Sequence, residues 1–254
     1  MKEYISALSI DRLTSYEILC PNKVDTDIIG AYHWNLLISQ AFYPFIHSVE
    51  VALRNSIHNA ATKKFENEFW FDIVVTDGKS RAILEDTKND LHRRFGQVTA
   101  SDIVAGLTFG FWTNLIKQKT YTDQFNPNRL WPDLIPSVFP HYARGHDDRK
   151  NISKRFEEIR LIRNRLFHHE PIWKFKNAQT PQECIAEVRR KFNDTFKAIG
   201  WISKYKRNCL REFGFVESFK NNCTLEILER YKVKGAEILF IYRDETGIIS
   251  LSKK

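Results

Sequence analysis

Cysteine is sparse and scattered in this chain of 254 residues: Cys20, Cys184, Cys209 and Cys223 stand far apart and no C-x-x-C pair exists. That spacing argues against a zinc ribbon or a dithiol redox motif. H-E-x-x-H is also missing, so no metal site is expected, and no cofactor is implied. Internal repeats and low-complexity segments are absent. The opening Met-Lys-Glu-Tyr-Ile-Ser carries an early acid and does not read as a signal peptide, and no apolar run reaches transmembrane length. The expected location is the cytoplasm.

What the chain does hold is ordinary for a globular protein: 43% apolar and 28% charged residues, with nineteen Phe and six Trp against one Met. A core filled by rigid aromatics is expected, in one large domain or a domain with an appendage. The boundary is placed near residue 200, giving a helical domain over 1–200 and an appendage with a helix and a β-hairpin over 201–254. The formal net charge of +8 favours an anionic partner, and nucleic acid is the commonest one inside cells. The plainer alternative is a basic surface that binds nothing.

Periodicity points to a mainly α fold. Ser9 and Asp11 open a short helix over 9–20. Leu36, Phe42, Phe45, Ile46, Val49, Leu53 and Ile57 recur at helical steps within 26–65, and Pro44 predicts a break or kink near Tyr43. A polar helix is expected from about 80 to 95, and Thr99 with Asp102 resembles a capping box. Residues 103–116 are apolar on nearly every face and read as one buried helix, in which Gly106 and Gly110 would admit a second backbone. An irregular stretch over 122–150, pinned by Trp131 and Phe139, leads to a helix over 151–169. Thr180-Pro-Gln-Glu183 starts another helix running to about 199, with Ile185, Val188, Phe192 and Ile199 on one face. Ala236–Arg243 and Ile248–Leu251 flank Asp-Glu-Thr-Gly and read as a hairpin.

The densest chemistry lies in Arg160-Leu-Ile-Arg-Asn-Arg-Leu-Phe-His-His-Glu-Pro171. Ile159, Ile162 and Leu166 form the apolar stripe of a helix that Pro171 terminates. Asn164 and His168 are four apart and share a face. Arg163 and His168 are five apart and would not stack on an ideal helix. Histidine can take or give a proton near neutral pH, and arginine stays charged and can clamp two phosphate oxygens. Metal-free RNA cleavage needs both: a group to move protons at the 2′-hydroxyl or leaving 5′-oxygen, and a cation for the phosphorane-like transition state. The alternative is an exposed basic helix end that complements the helix dipole. His169 could replace His168 as the proton-handling group, since adjacent histidines are not separable by spacing. His168-His169-Glu170 lacks the spacing of a metal site.

The R-N-x-x-x-H signature resembles that of HEPN domains. Four segments resemble the Abi-like (abortive infection) branch of that group: Tyr32-His-Trp-Asn35, Val49-Glu-Val-Ala-Leu-Arg-Asn55, Ile103-Val-Ala-Gly-Leu-Thr-Phe-Gly-Phe-Trp112 and Ile159–Ile172. They span roughly residues 30–175; the tail after about 200 carries no such motif. The resemblance implies a HEPN-like helical bundle and a metal-independent endoribonuclease of bacterial phage defence. In that chemistry the 2′-hydroxyl attacks its own phosphate and leaves a 2′,3′-cyclic phosphate. His168 would be the acid–base group, Arg163 would stabilise the phosphorane, and Asn164 would orient one of them or touch the phosphate. HEPN sites usually pair two motifs, so a homodimer is implied. The other class of function is a non-catalytic RNA-binding module, or a toxin–antitoxin component that holds a small regulatory RNA.

A second constellation places His47, Glu50, Arg54 and His58 along one helical face, with Glu50 and Arg54 in the order that favours an ion pair. Arg54-Asn55 echoes Arg163-Asn164, but His58 follows Asn55 one residue too soon for the HEPN spacing. Arg54, Asn55 and His58 are therefore either site-contributing or structural. Further basic residues, Arg160, Arg165, Arg189, Arg190, Lys204, Lys206 and Arg207, lie within or after the motif, with Trp201 and Tyr205 nearby. They read either as an RNA-binding set, with phosphate contacts and base stacking, or as solvated helix faces.

Overall fold

A computed structural model of the chain describes residues 8–22, 24–146 and 148–241. Its regular structure is helical, with no strand among the described residues. The helices are α1 (Ile10–Thr14), α2 (Asp25–Phe65), α3 (Phe71–Val74), α4 (Gly78–Phe95), α5 (Ala100–Gly106), α6 (Phe109–Lys117), α7 (Ile135–Val138), α8 (Asp148–Phe167), α9 (Pro181–Ile202), α10 (Lys204–Glu212), α11 (Phe215–Asn222) and α12 (Leu225–Ile241).

The residues fall into two compact units that interleave along the chain. One comprises Met1–Pro44, Asn164–Asn193 and Leu210–Lys254; the other comprises Phe45–Arg163 and Asp194–Cys209. Both units draw on residues before and after 200.

In the first unit, Phe192 and Phe219 stack at 4.0 Å, and Phe42 tilts against both. Trp173 is fully buried against the ring edge of Tyr16 at 5.3 Å. Trp34 Nε1 donates to the Asn222 carbonyl at 3.0 Å. A Cβ on Gly30 would stand 2.3 Å from the Tyr231 carbonyl oxygen, and one on Gly235 would stand 2.2 Å from that of Thr26. Helices α2 and α12 therefore meet backbone to backbone, which only glycine permits at these two positions.

The second unit buries more aromatic rings than the first. Trp70, Phe71, Phe109, Phe111, Trp112 and Trp131 are buried in it. Trp131 Nε1 donates to the Leu115 carbonyl at 2.8 Å, and Phe139 packs on Phe156 at 5.6 Å, so both expected anchors of the 122–150 segment are in place. That segment is not wholly irregular: it includes α7 and the end of a 3-10 turn over Lys119–Thr122.

Several local expectations need correction. Helix α2 runs through Pro44 without the break expected near Tyr43, and the first segment of the first unit ends at that proline. Because the helix continues, an 18-residue window of it, of mean hydropathy 1.3, is long and apolar enough by composition to cross a membrane, with 44% of the window buried. The apolar run 103–116 is two helices, because the Thr108 side chain accepts from Phe111 N at 3.3 Å and caps a new one. A Cβ on Gly106 would meet the side chain of Thr87 at 2.9 Å, and at Gly110 the nearest atom, also of a side chain, stands 3.7 Å away, so neither glycine admits a second backbone. The expected 9–20 helix is α1 followed by a 3-10 turn over Ser15–Leu19. Residues 236–241, the first arm of the expected hairpin, continue α12; the rest of that hairpin lies outside the described residues. The capping box at Thr99 and Asp102 is present in both directions, and Glu183 and Thr180 cap α9 in the same way.

Candidate functional site

Helix α8 carries the R-N-x-x-x-H segment. It ends at Phe167, before Pro171, through backbone geometry of its own. His168 N donates to the Asn164 carbonyl at 2.8 Å, His169 N to that of Leu166 at 3.3 Å and Glu170 N to that of Arg165 at 2.8 Å. The last two bonds, with His169 at φ 58°, form a Schellman closure. Glycine usually holds that left-handed position, and histidine is among the side chains that tolerate it. The proline is thus a follower of the helix end and not its cause.

The segment after α8 is held firmly within the first unit. Arg12 Nη1 donates to the His169 carbonyl at 3.1 Å. Ile172 N donates to Oδ1 of the buried Asn35 at 3.1 Å, and Lys174 Nζ reaches Ser15 Oγ at 3.2 Å. The Arg165 guanidinium donates to the Lys174 carbonyl and lies 5.1 Å from the Phe175 ring centre. Burial lowers the pKa of that guanidinium, opposed by the Glu170 carboxylate. Arg165 is thereby committed to holding the chain that follows the helix.

Beside this closure lies a cleft of about 540 Å³ lined by Leu8, Ser9, Arg12, Tyr32, Asn35, Leu36, Ser39, Leu166, His169 and Glu170. Tyr32 and Asn35 come from the first resembling segment; Leu166, His169 and Glu170 come from the fourth. The cleft thus joins residues more than a hundred positions apart and offers a cation, a carboxylate, a phenol and an imidazole. Leu36, expected on the apolar face of α2, is half exposed because it lines this cleft. His168 is exposed but is not among the lining residues. Arg12 carries no signal in the sequence beyond lying in the predicted helix, and Ser9 reads there only as its start.

Arg163 belongs to the second unit. Its Nε lies 3.4 Å from Glu50 Oε2, and both side chains are about three-quarters buried. Glu50 therefore pairs with Arg163 across 113 positions, and not with Arg54 as the spacing suggested. Arg54 Nη1 instead donates to the Ala105 carbonyl at the end of α5, at 3.3 Å, while its buried Nε has no partner. Asn55 is exposed. Nδ1 of His58 lies 3.2 Å from Trp70 Nε1, a donor, and burial holds the imidazole below its ordinary pKa, opposed by Glu68. Both observations fit a histidine kept neutral as a packing partner.

The remaining basic residues are spread over both units. In the first, Arg189 donates to the Lys220 carbonyl at 3.2 Å and Arg190 pairs with Glu187 at 2.8 Å. In the second, Arg160 pairs with Glu157, and the Arg207 guanidinium lies 5.9 Å from the Phe196 ring centre. Lys204 and Tyr205 are exposed, whereas Lys206 is partly buried, with its pKa lowered by that burial and then by Arg54. Trp201, partly exposed, packs edge-on to Tyr142 at 4.8 Å. Among the described residues no group of three or more His, Cys, Asp or Glu side chains could hold a metal ion.

No family model, curated protein or solved structure matches the chain.

Proposed function

We propose that this protein is a HEPN-type, Abi-like endoribonuclease that cleaves RNA without a metal ion. The observation that carries the reading is the succession of groups along the end of α8. An exposed imidazole at His168 follows Asn164 by one helical turn, and the charged Arg163 is held by Glu50. In this scheme His168 moves the proton between the 2′-hydroxyl and the leaving 5′-oxygen, or His169 does so from the cleft wall. Arg163 offsets the charge gathering on the phosphorane oxygens, where a guanidinium can give two N–H bonds at once. Asn164 orients the phosphate or the histidine. One motif supplies few groups for two proton transfers, so the active form is a homodimer that pools two motifs. The setting is cytoplasmic phage defence by abortive infection.

The test is incubation of purified protein with total RNA in EDTA, mapping of the new ends and light scattering at micromolar concentration. The reading expects 2′,3′-cyclic phosphate ends from a dimer. A chain that binds RNA tightly yet never cleaves it supports the other function, a module that holds a small regulatory RNA.

A further inference from the structure

The second unit contains a smaller pocket, of about 160 Å³, that the motif chemistry does not use. Three cationic side chains from three helices line it: Lys79 of α4, Lys117 of α6 and Arg160 of α8. One carboxylate, Glu157, faces them. It takes Arg160 Nε at 3.2 Å on one oxygen and Arg160 Nη2 on the other, and Lys117 Nζ stands 4.0 Å away. Its pKa is lowered first by the bond from Arg160, and the charges of Lys117 and Lys79 add to this. One carboxylate among three cations leaves the lining net positive, with the Asp77 carboxylate near Lys79 but outside the lining.

The neutral part of the lining also suits an anion. Thr108, the N-cap of α6, and Gly110, Thr113, Asn114 and Lys117 along its flank line the pocket, so two hydroxyls and an amide stand beside the cations. Gly110 has no side chain to fill the space, and the Arg160 stem passes 4.0 Å from where its Cβ would be. Asn114 uses one amide N–H on Ser80 Oγ at 2.7 Å, and its side-chain oxygen accepts from Gln118. The amide has a second N–H.

We infer that this pocket binds a phosphate group, held by Lys79, Lys117 and Arg160 beside the flank of α6. The volume suits the five heavy atoms of a single phosphate and not a whole nucleotide. A phosphate of an RNA backbone and a free phosphate share this chemistry. Arg160 lies three residues before Arg163 on α8, about 4.5 Å along the axis. If the RNA-cleavage proposal holds, the pocket is a contact for a phosphate flanking the scissile one. The phosphate-binding claim itself does not rest on that proposal.

The test uses the full chain and the double variant Lys79→Gln/Lys117→Gln. Both lysines are exposed, so the fold is expected to survive, and thermal melting checks this. Lys63→Gln, an exposed lysine elsewhere in the same unit, is the charge control. One arm titrates inorganic phosphate; the other titrates a short 2′-O-methyl oligonucleotide, which cannot be cleaved, across a range of salt. In at least one arm the double variant is expected to bind about tenfold more weakly than the control, and in the oligonucleotide arm to lose about one unit of salt slope. Loss confined to inorganic phosphate identifies a free-phosphate site and stands even if the chain binds no RNA. Loss confined to the oligonucleotide identifies a backbone contact. If the double variant matches the control in both arms, or the wild type binds neither probe, the inference is overturned.

Discussion

Replacing His169 separates its backbone role from any chemical one. Its φ of 58° places an L-residue in the left-handed region, where the side chain costs about 1–2 kcal/mol relative to the right-handed helix. Glycine carries no such cost but gives back about 0.5–1 kcal/mol through the freedom it gains in the unfolded chain. The imidazole is exposed, so its removal forfeits little packing. The bond from Arg12 goes to the backbone carbonyl and survives any substitution. His169→Gly should therefore be more stable than His169→Ala by about 1 kcal/mol, or about 2–4 °C in Tm for a chain of this size. Thermal melts of the two variants under identical buffer measure the difference. An Ala variant that melts at or above the Gly variant refutes the Schellman reading of the α8 terminus. Cleavage assayed on the same samples adds the second readout: if His168 is the acid–base group, both variants cut RNA like the wild type.

Gly30→Ala should destabilise the chain by about 2–4 kcal/mol, because its Cβ would meet a backbone oxygen at 2.3 Å and α2 or α12 must move; urea unfolding that matches wild type would contradict the direct backbone contact. His58, held below its ordinary value of 6.5 chiefly by burial, binds fewer protons folded than unfolded. Its contribution is therefore fully present above pH 6.5 and is lost as pH falls below that value. His58→Gln should flatten the decline in Tm over this range, and an unchanged decline would show that His58 does not drive it. Arg54→Ala removes the bond to the Ala105 carbonyl and should cost about 1 kcal/mol of stability in denaturant titrations; wild-type stability would show that the bond contributes nothing.

The parts of the fold that were legible in the sequence are those set by neighbours along the chain. The Thr99 and Thr180 capping boxes close over three residues, and the apolar stripe of α9 repeats every three or four, so both could be read directly. Thr108 is not legible as a helix start because it sits inside an apolar run, where nothing but its own side-chain bond marks one. Pro44 removes one N–H donor, yet α2 continues past it without a break. The site divides in the same way. Arg163, Asn164 and His168 announce themselves by residue type and spacing. The left-handed His169 does not, since the residue usual at that position is glycine. Helical spacing pairs Glu50 with the neighbour four residues along its own helix, but its partner comes from a helix a hundred positions later. Arg12 reaches His169 across 157 positions, a contact no local pattern encodes.

The central claim is tested most directly by single-turnover cleavage of RNA in EDTA, comparing wild type with His168→Ala, His169→Ala, Arg163→Ala and the Arg163→Ala/His168→Ala double variant. The account predicts metal-free cleavage by wild type and a loss of about 10²–10⁴-fold in His168→Ala. Arg163→Ala should lose about 10²–10³-fold, and the double variant should be little worse than the weaker single, because the two groups act on one transition state. RNA affinity should fall only modestly in each, since it rests on phosphate contacts spread over many cations. Loss in His169→Ala alone would move the acid–base role one residue along. Cleavage that needs added Mg²⁺ or Mn²⁺, or that proceeds at the wild-type rate in every variant, would contradict the account.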